Sequence, residues 1–290
     1  MKNKNTMISI EQISINDVYM YQSERFNTNN HWKNNEQPSD YYNVLAKTKT
    51  CNWIQRLKSD YQTIDLDLDD FNWMKQAFMI GKFTGKFPSM YQYNLNQMIK
   101  KYQYLNNLFI DKKYFVRVNN VSLKYGLNGC GPYTEFKNII ESIVSSIDGH
   151  SPFNNPDALR IYLIPWVTID DDKEFRVFCN NNTITAISQQ NLYQTNQTIK
   201  INQDKNILIN KWINIIVNYF NTNIHDVISD IGSYCMDIAL IGDDDIPYFI
   251  ELNSFGAEYA AGSALFHWII DKEKLYDSRE SNTIYFRYCG

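Results

Sequence analysis

Paired cysteines are missing from this sequence, and so are long apolar runs. The five cysteines are odd in number and show no CxxC spacing, which argues against a disulfide framework or a zinc ribbon and favours a reducing compartment. The start, MKNKNTMISIEQ, lacks the long apolar region of a signal peptide. No stretch approaches ~18 uninterrupted apolar residues, so we expect no membrane span. These features together predict a soluble cytoplasmic protein.

The net charge is also small, and histidines are few. The net charge is −4 at pH 7, and only four histidines occur among 290 residues. So small a charge gives no general attraction to nucleic acids or membranes, and we expect neither as a partner. The phosphate-binding motif GxxxxGK[ST] is absent as well. A chain of this length can form one large domain or two lobes with a sizeable core.

Polarity divides the chain after residue 50. Residues 1–50 are polar and mixed, which predicts a loosely ordered N-terminal segment. Beyond it, apolar residues recur with the periods of strands and helices. They predict strands at 64–68, 114–118, 158–167, 174–179, 183–189 and 283–288, and helices at 71–80, 93–109, 134–147, 206–220 and 257–275. Asp69 or Asp70 is the expected N-cap of the first of these helices.

An acidic hairpin over residues 233–256 stands out from the other strands. Its two runs, 234–241 and 248–253, carry carboxylate or amide side chains where core strands are usually apolar. A hairpin centred on Asp244 places Asp237 opposite Glu251, and period-2 alternation places Glu251 and Asn253 on one face. Tyr248, Ile250 and Leu252 would then occupy the other face.

Two readings of this hairpin remain open at this point. Carboxylates paired across strands approach to about 5 Å at Cβ and repel each other, so a cation between them would stabilise the pair. Two carboxylates with an amide oxygen suit Mg²⁺, which completes its shell with water and phosphate. Alternatively, Asp237 or Glu251 is a carboxylate at a strand edge that faces solvent.

Three cations upstream could accompany such a metal at a nucleotide. Arg117 lies within a short strand, Lys124 in the loop that follows, and Arg176 shares one face of a second hairpin with Glu174. Guanidinium and ammonium groups placed in this way can surround phosphates. Arg117 and Lys124 could also be two exposed basic residues, and Glu174 and Arg176 an exposed ion pair of little energetic value.

The ordered motifs resemble a known family. Residues 174–178 read EFRVF, 186–189 read AISQ, and a strand with a lone Asp precedes IELNSFG at 250–256 and LFHW at 265–268. This order, over roughly residues 110–270, resembles the cell division cycle protein 123 family. That family belongs to the ATP-grasp superfamily, and its members act in assembling eukaryotic translation initiation factor 2.

The resemblance implies an α+β fold of the ATP-grasp type. Two lobes with antiparallel sheets and flanking helices would enclose a nucleotide cleft. The ATP-grasp domain would span 51–290, with an N-lobe at roughly 111–165 and a C-lobe at roughly 166–270.

The resemblance also implies roles for single residues, with ATP and Mg²⁺ as the ligands. Arg117, Lys124 and Arg176 would contact phosphates, and Asp237, Glu251 and Asn253 would bind Mg²⁺. Nucleotide contacts would also come from the linker bordering the adenine, Ile164-Pro165-Trp166, and from Ser188. The sequence departs from the family pattern at Gln190, where the family has a cation.

Three functions follow as hypotheses. The first is an assembly factor that binds ATP and acts on initiation factor 2 through its gamma subunit. The second is an ATP-grasp ligase that activates a carboxylate substrate as an acyl phosphate, which needs Mg²⁺ and cations but no His or Ser nucleophile. The third is a binding module that has lost ATP, and the intact set Asp237, Glu251 and Asn253 weighs against it.

Overall fold

The chain forms two compact units. The structure, a computed structural model, describes residues 7–153, 159–276 and 283–290. Unit 1 combines Met1–Leu57 with Thr168–Gly290, and unit 2 is Lys58–Val167. The sequence predicts a different division, with a segment at 1–50 and a domain at 51–290. Ala158, the first residue of a predicted strand, lies outside the described residues.

Unit 1 contains most of the strands. Its elements are β1 (Met7–Ile13), α1 (Ile15–Arg25), α2 (Tyr41–Lys47), α3 (Thr50–Leu57), β5 (Glu174–Asn180), β6 (Thr183–Gln189), α7 (Gln197–Ile201), α8 (Lys205–Tyr219), β7 (Tyr234–Ile241), β8 (Ile246–Ser254), α9 (Lys272–Tyr276) and β9 (Thr283–Cys289). Residues 7–57, most of which had been expected to be loosely ordered, thus contribute a strand and three helices to this unit.

A six-stranded sheet in the order β1-β9-β6-β5-β7-β8 organises unit 1. β9 lies parallel to both β1 and β6, and the other neighbours are antiparallel. The sheet is therefore mixed, which corrects the expectation that both sheets are antiparallel. The reason is the chain's last strand, β9, which enters between β1 and β6 in the direction of both.

Unit 2 is built on a small sheet and two packed helices. Its elements are β2 (Gln62–Asp65), α4 (Leu68–Thr84), α5 (Gln92–Lys101), β3 (Tyr114–Arg117), α6 (Phe136–Ser145) and β4 (Arg160–Pro165), and the antiparallel sheet has the order β2-β4-β3. Helix α4 meets α6 at Gly81, where a Cβ atom would lie 2.2 Å from the Val144 carbonyl oxygen. Only glycine permits this close approach of the two backbones.

Several expected elements differ in the structure. The strand expected at 64–68 is β2, which ends at Asp65, and the helix expected over 93–109 is α5 followed by a 3₁₀ helix, Gln103–Phe109. Helix α4 begins earlier than expected, because Asp67 accepts a hydrogen bond from the Asp70 N–H at 2.9 Å and caps it. The helix expected over 257–275 is wrong, since only α9 at its end is helical. Its carbonyls accept hydrogen bonds from the N-terminal segment instead, Ala264 from the Asn27 N–H and Ala257 from the His31 N–H. Tertiary contacts override helical propensity here.

Each unit thus presents an α+β arrangement, as the sequence predicts. Among the residues that the structure describes, no helix combines the length and the apolar composition needed to cross a bilayer.

Candidate functional site

The acidic hairpin forms with the expected register. β7 and β8 are antiparallel, and Asp237 pairs with Glu251 while Cys235 pairs with Asn253. The register then shifts by one residue, because Ile238 pairs with Phe249 and Ile250 is the extra residue of a β-bulge. The bulge ends the expected alternation, so that the strand buries Phe249 rather than Ile250 and Tyr248.

Arg176 and Asp237 form a buried ion pair on this face. β5 pairs with β7 so that the two residues are opposite, and the guanidinium grips the carboxylate with Nε–Oδ1 and Nη2–Oδ2 distances of 2.9 and 2.8 Å. The Gly262 carbonyl accepts the remaining Nη1–H at 2.7 Å. Arg176 is 7% exposed and Asp237 2%. Burial raises the pKa of Asp237, and the Arg176 charge opposes that rise.

Asn253 joins the two carboxylates of the hairpin. Its Nδ2 donates to Asp237 Oδ2 at 3.1 Å and to Glu251 Oε1 at 3.3 Å. Asn253 and Glu251 are both half-buried. The three predicted metal ligands therefore converge, and their side-chain oxygens are the donors that Mg²⁺ prefers.

A third carboxylate, Glu174, lies on the same sheet near this group. It stands opposite Ala239, two residues along β5 from Arg176. Burial, together with the charges of Asp237 and Glu251, raises the pKa of Glu174 to about 7. The sequence placed Glu174 beside Arg176, but it gave no sign that Glu174 approaches the acidic hairpin.

These donors fit a hard divalent cation that also takes oxygen ligands from water or phosphate. No group of three or more His, Cys, Asp or Glu side chains within the described ranges is arranged to hold a metal. Asp237 already binds Arg176 through both oxygens. A cation here would therefore need Asn253 together with water or phosphate oxygens, which is how Mg²⁺ is usually bound beside a nucleotide.

The predicted phosphate-binding cations of unit 2 occupy two different environments. Arg117, the last residue of β3, is 2% exposed. Near it is Lys58, which the sequence motifs did not single out. Burial and, to a lesser extent, the charge of Arg117 lower the pKa of Lys58 to about 7. Lys124 lies on the exposed loop after β3, with its Nζ 5.5 Å from the centroid of the Tyr125 ring.

The remaining residues with a predicted nucleotide contact lie at the end of a strand or within a pair of strands. Ile164 is buried in β4 opposite Phe115, and Pro165 ends the strand. Trp166 follows, and its N–H donates to the Lys113 carbonyl at 2.8 Å. In unit 1, Ser188 pairs with Arg176 across β5 and β6, but its buried hydroxyl donates to the Gln189 carbonyl and accepts from the Leu265 N–H.

The structure thus brings some of the predicted residues together. Arg176, Asp237, Glu251 and Asn253 share one face of the six-stranded sheet in unit 1. Ser188 neighbours Arg176 in register, with its hydroxyl used in backbone hydrogen bonds. Arg117 lies on β3, and Ile164 and Pro165 lie on the adjacent strand β4, with Trp166 directly after it.

Comparison with known proteins gives a fold and a family. The structure is similar to that of a C-terminally truncated Cdc123 from Schizosaccharomyces pombe, with a TM-score of 0.59 and 13% identity over 84% of this chain and 96% of that one. A second structure of Cdc123 from Schizosaccharomyces pombe gives a TM-score of 0.57 and 12% identity over 84% and 97%. At this identity the likeness concerns the fold alone.

Sequence comparison supplies the family. No curated protein matches this chain. A sequence model of the D123 family matches residues 136–289, just over half of the chain, and this range holds the EFRVF, IELNSFG and LFHW motifs. The family inferred from those motifs is confirmed, and the chain belongs to the D123 family.

Proposed function

We propose that the chain binds Mg-ATP on the acidic face of unit 1, as a member of the ATP-grasp superfamily. The observation that carries the proposal is the convergence of Asp237, Glu251 and Asn253 beside Arg176. Carboxylate and amide oxygens would hold Mg²⁺, which would neutralise charge on the phosphates when bound. The resemblance further assigns Lys124 and Arg117 to phosphates and 164–166 to the adenine.

Within this site the Arg176–Asp237 pair would fix the geometry. A bidentate ion pair holds both side chains in one orientation, because two parallel hydrogen bonds prevent rotation. Asn253 is bonded to both carboxylates and would keep Glu251 close to Asp237. The chain's own residues would therefore present the oxygen donors before the nucleotide arrives.

Isothermal titration calorimetry of ATP with and without Mg²⁺ tests this site. We expect Mg-dependent binding by the natural chain and a loss of at least about tenfold in affinity, about 1.4 kcal/mol, for Glu251→Gln. Glu258→Gln is the matched control, because Glu258 is a half-buried acid of the same unit beyond the hairpin. Equal Mg-ATP affinity in all three proteins would contradict the assignment. Asp237→Ala should also lose binding, but its folding must be verified first.

We propose as its role the assembly of eukaryotic translation initiation factor 2 through the gamma subunit. Membership of the D123 family supports this role. A pull-down with purified gamma subunit tests it, with the alpha and beta subunits as controls. We expect retention of the gamma subunit alone, and failure to retain it would contradict the role while leaving the nucleotide site untouched.

A further inference from the structure

Residues 71–110 of unit 2 contain lysine but no acidic residue. The stretch carries five lysines and no Asp or Glu, although the 32 acids among the 290 residues of the chain would place about four in a stretch of this length. The same stretch exposes large apolar side chains to solvent, namely Met79, Ile80, Phe83, Met90, Tyr93, Tyr104 and Ile110. A surface that combines exposed apolar groups with charges of one sign is suited to a partner of the opposite charge.

The outer face of helix α4 is apolar in its second half. Lys75, Met79 and Phe83 follow one another at intervals of four residues, so they form one ridge along the helix. Met79 is 55% exposed and Phe83 78%, and Ile80, at the edge of the ridge, is 38% exposed. The opposite face of the helix is buried, with Phe78 in the core of unit 2. The apolar side chains of the outer face therefore lie outside the core that stabilises α4.

Three lysines border these apolar side chains. Lys82 donates to Asp148 at 2.9 Å, and its Nζ lies 4.8 Å from the centroid of the Phe83 ring. Lys75 lies one turn before the apolar residues, and Lys86 follows the end of the helix by two residues. Within the described ranges, neither Lys75 nor Lys86 forms an ion pair. An apolar centre with a charged border is the usual composition of a protein interface.

We propose that the α4 ridge, which comprises Lys75, Met79, Ile80, Phe83 and Lys86, is a docking surface for an acidic segment of a partner protein. The partner would pack apolar side chains on the centre of the ridge and place carboxylates beside its two unpaired lysines. This inference is independent of the proposed nucleotide site, which uses none of these residues.

Charge complementarity favours this occupant over two others. An anionic membrane fits less well, because the chain as a whole carries a net charge of −4 and the apolar part of the ridge is confined to three side chains. A second copy of the chain also fits less well. In a two-fold contact each face meets the same face, so the lysines of the two ridges would approach one another.

Methyl NMR with a designed peptide tests the α4 ridge. The probe is a helical peptide of leucine, alanine and glutamate with its leucines three and four residues apart, and the control peptide has lysine in place of every glutamate. The full chain carries labelled methionine methyl groups, and Met79→Leu assigns the Met79 signal. We expect this signal to shift with the glutamate peptide, with a Kd below about 1 mM, and to stay in place with the lysine peptide.

Variants separate the apolar centre of the ridge from its charges. Phe83→Asp should weaken binding of the glutamate peptide at least about tenfold, and Lys75→Glu combined with Lys86→Glu at least about fivefold. Tyr104→Asp is the matched control, because Tyr104 is also exposed and its ring neighbour Tyr102 bonds to the N-cap at the other end of α4. This control should stay within about twofold of the natural chain. Circular dichroism verifies the fold of each variant.

Several results would overturn the docking surface. These are a Met79 signal that the glutamate peptide leaves in place, equal shifts with both peptides, or equal affinity in the natural chain and Phe83→Asp. Co-sedimentation with vesicles of phosphatidylserine and phosphatidylcholine that Phe83→Asp abolishes would assign the ridge to a membrane instead. A dimer in analytical ultracentrifugation that the same variant dissociates would assign it to a second copy of the chain.

Discussion

In unit 1 the candidate side chains lie on neighbouring strands and bind one another, whereas in unit 2 the candidate cations lie where a strand gives way to a loop. Arg176, Asp237 and Asn253 are joined by hydrogen bonds of 2.8 to 3.1 Å. Lys124 is exposed on the loop that follows β3. Residues of the first kind should affect stability and binding together, and the exposed Lys124 should affect binding alone. The variants below test this difference, from the largest expected effect to the smallest.

Removing Arg176 should have the largest effect. Arg176→Met leaves the buried Asp237 carboxylate without its cation, so we expect a loss of about 3 to 5 kcal/mol in the free energy of unfolding. Urea unfolding measures it. The double variant Arg176→Met with Asp237→Leu should lose less than either single change, because no unpaired charge then remains. Additive losses would show that the pair is not coupled.

A second buried ion pair lies in unit 1 outside the candidate site, and its contribution to stability should depend on pH. Burial alone would raise the pKa of Asp271, but its bonds with Arg287 and Arg25 lower it from the ordinary value of 3.8 to about 2. The folded protein thus binds this proton less readily than the unfolded chain does. The stabilisation is complete above pH 3.8 and is lost as the pH falls towards 2.

We expect this carboxylate to contribute about 2 kcal/mol, from the size of the pKa shift. Urea unfolding between neutral pH and pH 2 measures it, with Asp271→Asn as the reference protein. Subtracting the reference should leave a decline confined to acid pH. An Asp271→Asn protein whose stability falls as steeply in acid as the natural chain would contradict the assignment.

Lys124 should show the opposite behaviour. Lys124→Ala removes the phosphate contact proposed for this residue, so ATP affinity should fall about tenfold. The free energy of unfolding should change by less than about 0.5 kcal/mol, because the side chain is exposed. Calorimetry and urea unfolding of the same preparation measure both quantities. A large loss of stability would remove the distinction between the two units.

Local patterns predicted the acidic hairpin well. The alternation of 234–241 and 248–253, with the turn centre at Asp244, was enough to pair Asp237 with Glu251. The β-bulge at Ile250 was not predictable, because a single extra residue leaves the apolar pattern nearly unchanged. Nor was the approach of Glu174, because it depends on β5 pairing with β7 as well as with β6.

Non-local pairing explains the larger failures. β1 belongs to a polar segment and is held at the sheet edge by β9, which comes from the other end of the chain. The apolar residues of 257–275 suit a helix by composition, but Trp268 and Phe266 pack among the rings of a core cluster instead. Single-sequence periodicity carries no information about such partners.

A crystal structure with Mg²⁺ and β,γ-imido-ATP tests the central claim most directly. The account predicts a metal within about 2.0 to 2.2 Å of oxygen atoms from Glu251 and Asn253, with phosphate oxygens in its shell. It further predicts that the Arg176–Asp237 pair remains intact. A nucleotide bound elsewhere on unit 1 or unit 2, or a metal that touches neither Glu251 nor Asn253, would contradict it.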